Sequence, residues 1–358
     1  MLFVLLKKFF HLEDILYRKR VKVVFLQKIT NMNRLSIAEY VSGIRSGNRI
    51  ILSKAITLTE SKLPSDQNLA QEVIQQILPF AGNSFRIGIT GVPGVGKSTF
   101  IEAFGLYIIE KVQKKVAVLT IDPSSQKSGG SILGDKTRME SLSHNPQAFI
   151  RPSPSGNSLG GVAKSTRETI LLCEAAGFET ILIETVGVGQ SETVVKDMTD
   201  FFLLLMLAGA GDELQGIKKG IMEMADLLLI TKADSNNEKQ TKLAKAHYEN
   251  AMHLFLPNEN GWQSEVLTCS SLTGKGLPEA WQIMEKYKIK MEQNGFFQEN
   301  RMQQNIHWLY DTIRQKLEET FFSNAAILQK LATIENQVRN GEMPSVKGAL
   351  TLLQQFLP

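Results

Sequence analysis

Polar and apolar positions divide this chain into three textures. From about Leu35 to Gln76 the apolar residues return at helical spacing, as Ile37, Tyr40, Val41 and Ile44 and then Ile51, Leu52, Ala55 and Ile56. Leu78-Pro79-Phe80-Ala81-Gly82-Asn83 reads as a connector. Short β-rich runs follow at residues 85–90, 116–121, 180–183, 201–207, 226–230 and 265–268, each ending in a loop rich in Gly, Ser or Asp. Several of the intervals between them are long enough for helices. That alternation predicts an α/β fold whose mostly parallel sheet is buried on both faces. Beyond Trp281 the strand signal stops, and residues 281–320 and 324–357 read as helices with Gln, Glu and Lys on their polar sides. The expected organisation is a basic leader over 1–31, an N-terminal helical extension over 32–84, an α/β domain over 85–280 and a C-terminal helical arm over 281–358.

The run at residues 85–90 leads into Gly91-Val92-Pro93-Gly94-Val95-Gly96-Lys97-Ser98, a complete G-x-x-x-x-G-K-S, and a helical pattern opens at Thr99. Strand, loop and helix in that order are the context a phosphate loop requires. Its glycines let successive N–H groups turn inward as an anion nest, and the following helix adds its positive end. Lys97 is placed to reach the β- and γ-phosphates, and the Ser98 hydroxyl to hold Mg²⁺. The motif fixes the core as that of a P-loop NTPase, with residues 91–99 as the phosphate cradle.

Residues 227–230 lead into Thr231-Lys232-Ala233-Asp234. A carboxylate there accepts from guanine N1–H and the 2-amino group together, whereas adenine offers no such pair of donors. The Lys232 stem is expected along the base plane. Ser270, Ser271 and Leu272 close a later strand, where backbone N–H groups can meet the guanine carbonyl. Alone, T-K-x-D is a weak signal; behind a phosphate loop in this strand order it points to GTP.

Acidic residues also follow two other strands, Asp122 in Ile121-Asp-Pro-Ser-Ser125 and Glu184 in Ile183-Glu-Thr-Val-Gly187. An acid at either place can hold Mg²⁺ directly or through water. Gly187, with no side chain, can offer its N–H to the γ-phosphate at close range. Between them, Gly129-Gly130 and the charges from Asp135 to Arg138 suit a switch segment, although Asp135 alone also reads as a helix cap.

Composition narrows the rest. With 358 residues, 43% hydrophobic and 21% charged, the chain sits at the globular average, which excludes a disordered, fibrous or disulfide-scaffold protein. Cys173 and Cys269 match no zinc or redox spacing and read as reduced, buried thiols of a cytoplasmic protein. The formal charge of +4 is concentrated in residues 1–31, where seven basic residues face two acids; the other 327 residues carry −1. No nucleic-acid or membrane partner is therefore expected, and no run approaches the apolar length of a spanning helix. The leader itself reads as a membrane-surface helix, a targeting sequence or upstream DNA translated from a misassigned start; Met32 follows it directly and favours the last.

Longer strings resemble one family. Asp122-Pro-Ser-Ser, Gly129-Gly-Ser-Ile-Leu-Gly-Asp-Lys-Thr-Arg-Met139, Arg151-Pro-Ser-Pro-Ser-Gly156, Glu184-Thr-Val-Gly-Val-Gly-Gln-Ser-Glu192 and Ala210-Gly-Asp-Glu-Leu-Gln-Gly-Ile-Lys218 are similar to the MeaB/ArgK/MMAA family of P-loop GTPases. The resemblance runs from about residue 35 to beyond 280. It implies a GTP-hydrolysing chaperone of an adenosylcobalamin-dependent mutase, typically methylmalonyl-CoA mutase, that gates cofactor delivery from an adenosyltransferase. Adenosylcobalamin would concern this chain only through that partner. The resemblance further implies a homodimer formed by the C-terminal arm. It places Asp122, Asp135 and Glu184 in the Mg²⁺ and switch apparatus, and makes residues 209–218 a switch toward the mutase, with Asp212 and Lys218 its active members beside Lys97 and Glu184. Where the family usually has Asn-Lys-x-Asp, Thr231 replaces Asn; guanine preference is expected to survive through Asp234, with weaker affinity.

Catalysis of water attack is expected to be slow alone, with Gln190 a candidate to orient the water and Arg138 and Arg167 weaker candidates for an arginine finger. Three other readings compete with the chaperone. A nickel metallochaperone would show a His-rich tract, and the five histidines here are scattered. A kinase tied to basic amino-acid transport needs a second substrate site that no motif marks. A non-hydrolysing scaffold would not need intact Lys97-Ser98 and Glu184.

Overall fold

The computed structural model describes residues 34–121, 139–152, 159–185, 191–208, 219–234, 237–255 and 260–357. Three helices open it, α1 (Ile37–Arg45), α2 (Arg49–Glu60) and α3 (Pro64–Ile77). Each start is written locally. Ser36 and Glu39 form a capping box on α1, the Asn48 side chain accepts from Ile50 and Ile51 N–H on α2, and Pro64 occupies the first turn of α3.

The core alternates from there: β1 (Phe85–Gly91), α4 (Lys97–Tyr107), β2 (Val116–Ile121), α5 (Glu140–His144), β3 (Ala148–Pro152), α6 (Leu159–Ala175), β4 (Thr180–Thr185), α7 (Ser191–Lys196), β5 (Phe201–Leu207), α8 (Lys219–Met224), β6 (Leu227–Thr231), α9 (Glu238–Met252) and β7 (Glu265–Thr268). The strands form one sheet in the order β3-β2-β4-β1-β5-β6-β7. All six pairings are parallel, so the sheet is more uniform than the mostly parallel one expected. One strand, β3, escaped the sequence reading. It is five residues long, and its Arg151-Pro152 end looks like a loop. Proline is tolerated there because β3 is an edge strand.

Alternation along the strands sorts the core. Ile87, Ile89, Val116, Val118, Phe201 and Leu203 pack with Phe100, Phe104, Trp281 and Tyr287 on one face. Ala117, Leu119, Ile181 and Phe202 face α6 and the N-terminal helices through Tyr40, Ile44 and Ile56 on the other. Both faces are therefore covered, as parallel sheets require. Burying a large apolar side chain stabilises by about 1.5–3 kcal/mol, so Tyr40, Ile44 and Ile56, each at most 1% exposed, bind the N-terminal helices firmly to the sheet.

The C-terminal region is four helices rather than two: α10 (Leu277–Gln293), α11 (Phe296–Ser323), α12 (Ala325–Arg339) and α13 (Ser345–Phe356). Gly295 at φ +79° and Gly341 at φ +74° supply left-handed breaks that the polar periodicity concealed. A separate small core of Ile327, Ile334 and Leu352 joins α12 to α13. No helix among the described residues is long and apolar enough to cross a membrane.

Candidate nucleotide site

Chain order reverses direction across the sheet at β1, with β4 on one side and β5 on the other. Crevices outside the carboxyl ends of strands at such a switch point are where α/β sheets bind ligands. Gly91 ends β1 there. A Cβ at Gly91 would sit 2.5 Å from the Leu205 carbonyl oxygen, so only glycine lets the loop leave the strand beside β5. Gly94 and Gly96 take φ of +78° and +92°, and α4 starts at Lys97 with its N–H groups facing the loop.

The Lys97 ammonium donates to Gly91 O at 2.8 Å. Burial lowers its pKa, while the Glu184 and Glu192 carboxylates act in the opposite sense and favour the charged form. The Ser98 hydroxyl donates to Glu184 Oε1 at 3.2 Å. A hydroxyl and a carboxylate converging beside a phosphate nest form an oxygen donor set of the kind that suits Mg²⁺. Thr90 and Thr185, at the ends of the adjacent strands β1 and β4, share a buried hydroxyl–hydroxyl hydrogen bond of 2.8 Å behind that pair.

The other half of the site lies at the ends of β6 and β7. The Thr231 hydroxyl donates to Val95 O at 2.8 Å, and the Lys232 ammonium to Gly94 O at 2.9 Å. Both residues therefore lean on the phosphate loop. Lys232 itself has a left-handed φ of +57°, which turns the chain toward Asp234. The Ser270 hydroxyl donates to Asp234 Oδ2 at 2.6 Å, and the Ala233 N–H donates to Cys269 O, so the carboxylate is held in place by the neighbouring strand's loop. Leu272 is 80% exposed on that loop and Ser271 is half-buried. Gly276 keeps the loop tight, since a Cβ there would lie 2.2 Å from Thr268 O.

The structure thus brings residues 91–99, Glu184, Thr231, Lys232, Asp234, Ser270, Ser271 and Leu272 to one edge of the sheet. Asp122, Asp135, Gly187, Asp212, Lys218, Arg138 and Gln190 lie outside the described residues. Arg167 is placed elsewhere: it pairs with Asp311 at 3.3 Å and lies over the Trp308 ring, so it is committed to the arm. Glu192, nearly buried in the first turn of α7, was not singled out in the sequence although its charge favours the charged form of Lys97. Its one visible signal was its place at the end of the string that begins at Glu184.

A phosphate nest at the switch point of a parallel sheet, with a Lys-x-Asp pair two strands away, defines a P-loop GTPase. Comparison with known proteins narrows the class. The profile of the family described as methylmalonyl-CoA mutase-associated GTPase MeaB matches residues 52–326. A putative GTPase of Caulobacter vibrioides is 50% identical over 311 residues, covering 87% of this chain and 95% of that one. GTPase ArgK of Escherichia coli is 46% identical over 293 residues, 82% and 88% of the two chains. The mitochondrial methylmalonic aciduria type A homolog of Mus musculus is 41% identical over 325 residues, 88% and 78%. A crystal structure described as LAO/AO transport system kinase superposes with a TM-score of 0.72 at 37% identity, covering 90% of this chain and 98% of that one. This chain belongs to the MeaB family and is a GTP-binding GTPase.

Proposed function

We propose that this GTPase is a chaperone of a cobalamin-dependent acyl-CoA mutase, with methylmalonyl-CoA mutase the type case, and that its nucleotide cycle gates adenosylcobalamin delivery to that enzyme and protects it. The observation that carries this reading is the match to mutase-associated GTPases across residues 52–326. An adenosyltransferase would hand over the cofactor.

Phosphoryl transfer to water asks the protein mainly for positioning and charge neutralisation. In this reading the N–H groups of residues 91–99 cradle the phosphates, and Lys97 leaves Gly91 O to neutralise the β/γ oxygens. Ser98 and Glu184 would hold Mg²⁺, joined by Asp122 and Asp135 on the family's pattern, and the ion would supply further positive charge to offset that of the phosphates. Asp234 takes the guanine N1–H and 2-amino group, the Lys232 stem lines the base, and the Ser270–Leu272 loop closes over its carbonyl edge. Gly187 grips the γ-phosphate, and Asp212 and Lys218 belong to the segment that reports nucleotide state to the mutase.

The protein would act as a homodimer. On α11, Met302, Ile306, Leu309, Ile313 and Leu317 form an exposed apolar stripe at helical spacing, each between 46% and 57% accessible, which is the surface a second arm would cover. The buried, unpaired Cys173 and Cys269, both with raised pKa, fit a reducing cytoplasm.

GTP turnover measured with and without the mutase tests the reading: stimulation is expected, and it should vanish in Lys97→Ala. Absence of stimulation by acyl-CoA mutases, together with phosphate transfer to a transport protein, would favour the kinase named for the solved relative.

A further inference from the structure

Main-chain pairing at the carboxyl edge of the sheet is uneven. β1 stays paired with β5 through Gly91↔Leu205, and β4 stays paired with β2 through Ile121↔Thr185. Between β1 and β4 the pairing stops earlier, at Ile89↔Glu184. The seam between the two halves of the sheet therefore ends short at the switch point, where the nucleotide site lies. One step past its last pair stand Thr90 and Thr185, whose hydroxyls are joined at 2.8 Å. A side-chain bond takes over where the main-chain ladder stops.

The site straddles this seam. Lys97 and Ser98 belong to α4, which follows β1 through the phosphate loop, whereas Glu184 belongs to β4. The 3.2 Å contact between Ser98 Oγ and Glu184 Oε1 is thus made across the seam. Successive side chains of a strand point to opposite faces. Leu182 packs with Ile87, Ile89 and Phe100 on the α4 side, so Glu184 follows it there, while Thr90 and Thr185 share the other face with Ile181 and Ile183. The threonines lie across the sheet from Ser98, and what their bond governs is how far apart the two strand ends stand.

Packing does not call for hydroxyls here. Thr90 and Thr185 are 2% and 0% exposed, on a face that also holds Ile183, Val195 and Phe202. Two valines would fill the same space, and exchanging both partners of a buried hydrogen bond for apolar groups of like shape is close to neutral for stability. The hydroxyls are better explained by the spacing they fix. An octahedral ion that holds its oxygens at about 2.0–2.1 Å tolerates little misplacement of a ligand.

We propose that Thr90 and Thr185 are positioning residues for the nucleotide's Mg²⁺: their hydroxyl bond closes the seam between β1 and β4 and so sets the distance between the Ser98 hydroxyl and the Glu184 carboxylate. The inference rests on Ser98 and Glu184 being the metal pair. Ser98→Ala tests that premise separately, because an unchanged Mg²⁺ titration in that variant refutes the metal assignment whatever the threonines do.

The test is binding of a fluorescent GDP analogue to the full chain, titrated with Mg²⁺ and repeated in chelator, with a thermal melt of every variant. The variants are Thr90→Val, Thr185→Val, the two together, and the pair Thr90→Ser and Thr185→Ser, which keeps both hydroxyls. Each single valine leaves one hydroxyl buried without its partner and should lower the melting temperature, whereas the double valine should melt close to the parent. All three valine variants should raise the Mg²⁺ concentration at half-effect about 3- to 10-fold, toward the lower end of what outer-shell changes cost metal sites. Metal-free affinity should stay constant, and the serine pair should keep the parent's Mg²⁺ midpoint. A double valine variant with the parent's midpoint, the signature of a merely structural contact, overturns the proposal. So does a loss of affinity that is equal with and without the metal. Both single variants break the same bond, so poor folding of the double leaves them to decide.

Discussion

The Thr231 hydroxyl donates to the main-chain oxygen of Val95 across 2.8 Å, joining the base-reading segment to the phosphate loop. It also lies 3.3 Å from Met206 O on the neighbouring strand. Threonine at the place where the family usually has asparagine is therefore a tether within the protein. Thr231→Val should weaken GDP binding about 3- to 10-fold, the worth of one buried hydrogen bond. Thr231→Ser, which keeps the donor, should restore it. Preference for GDP over ADP should stay constant in both; a change in that ratio, read by competition against a fluorescent nucleotide, would show that Thr231 reads the base.

Base selection should lie with Asp234 instead. Its carboxylate is held by Ser270 at 2.6 Å and can accept from two guanine donors at once. Asp234→Asn presents an amide donor to the guanine 2-amino group, leaving a donor facing a donor. GTP affinity should fall by about 100-fold or more, while xanthosine triphosphate, with a carbonyl at that position, should gain. Equal losses for both nucleotides by calorimetry would remove Asp234 from base recognition.

Ser98 and Glu184 make a prediction about the metal. Their oxygens stand 3.2 Å apart beside the loop. Ser98→Ala should leave metal-free GDP binding nearly intact but raise the Mg²⁺ concentration for half-maximal turnover about tenfold or more. A magnesium titration unchanged from the parent would place the ion elsewhere.

Far from the nucleotide, Glu174 is a test of stability against pH. Burial works to raise its pKa, but the Arg86 charge outweighs it, together with hydrogen bonds from Arg86 and Ser84 and the charge of Arg301, and the carboxyl ends below its ordinary 4.5. A folded-state pKa below the unfolded one means the pair stabilises above about pH 4.5 and loses that contribution as pH falls through the folded value. Breaking such a buried pair costs about 3–5 kcal/mol at neutral pH. Glu174→Gln should therefore unfold at much lower denaturant at pH 7, with the gap to the parent closing as the pH falls below 4.5 and through the lowered folded-state value. A gap constant from pH 7 to pH 3 would show that the charge is not what matters.

Much of this was legible in the residues because it is written locally. The phosphate loop declares itself through glycine, lysine and serine at fixed offsets, and six of the seven strands through apolar runs that a doubly covered parallel sheet requires. What escaped depends on tertiary placement. β3 is a strand only because an edge position tolerates Pro152. The breaks at Gly295 and Gly341 hide among polar helix formers, where one glycine does not disturb the count of charged positions. The Thr90–Thr185 bond and the influence of Glu192 on Lys97 join residues far apart in sequence, and no spacing rule reports such a meeting.

Of all measurements, cofactor transfer bears most directly on the proposed role. Apo-mutase, an adenosyltransferase loaded with adenosylcobalamin and this protein would be mixed with GTP or with a non-hydrolysable analogue, and mutase activity followed over time. The chaperone account predicts that mutase activates with GTP, stalls with the analogue, and stalls again when Lys97→Ala replaces the parent protein. Activation at the same rate in all three mixtures would contradict it.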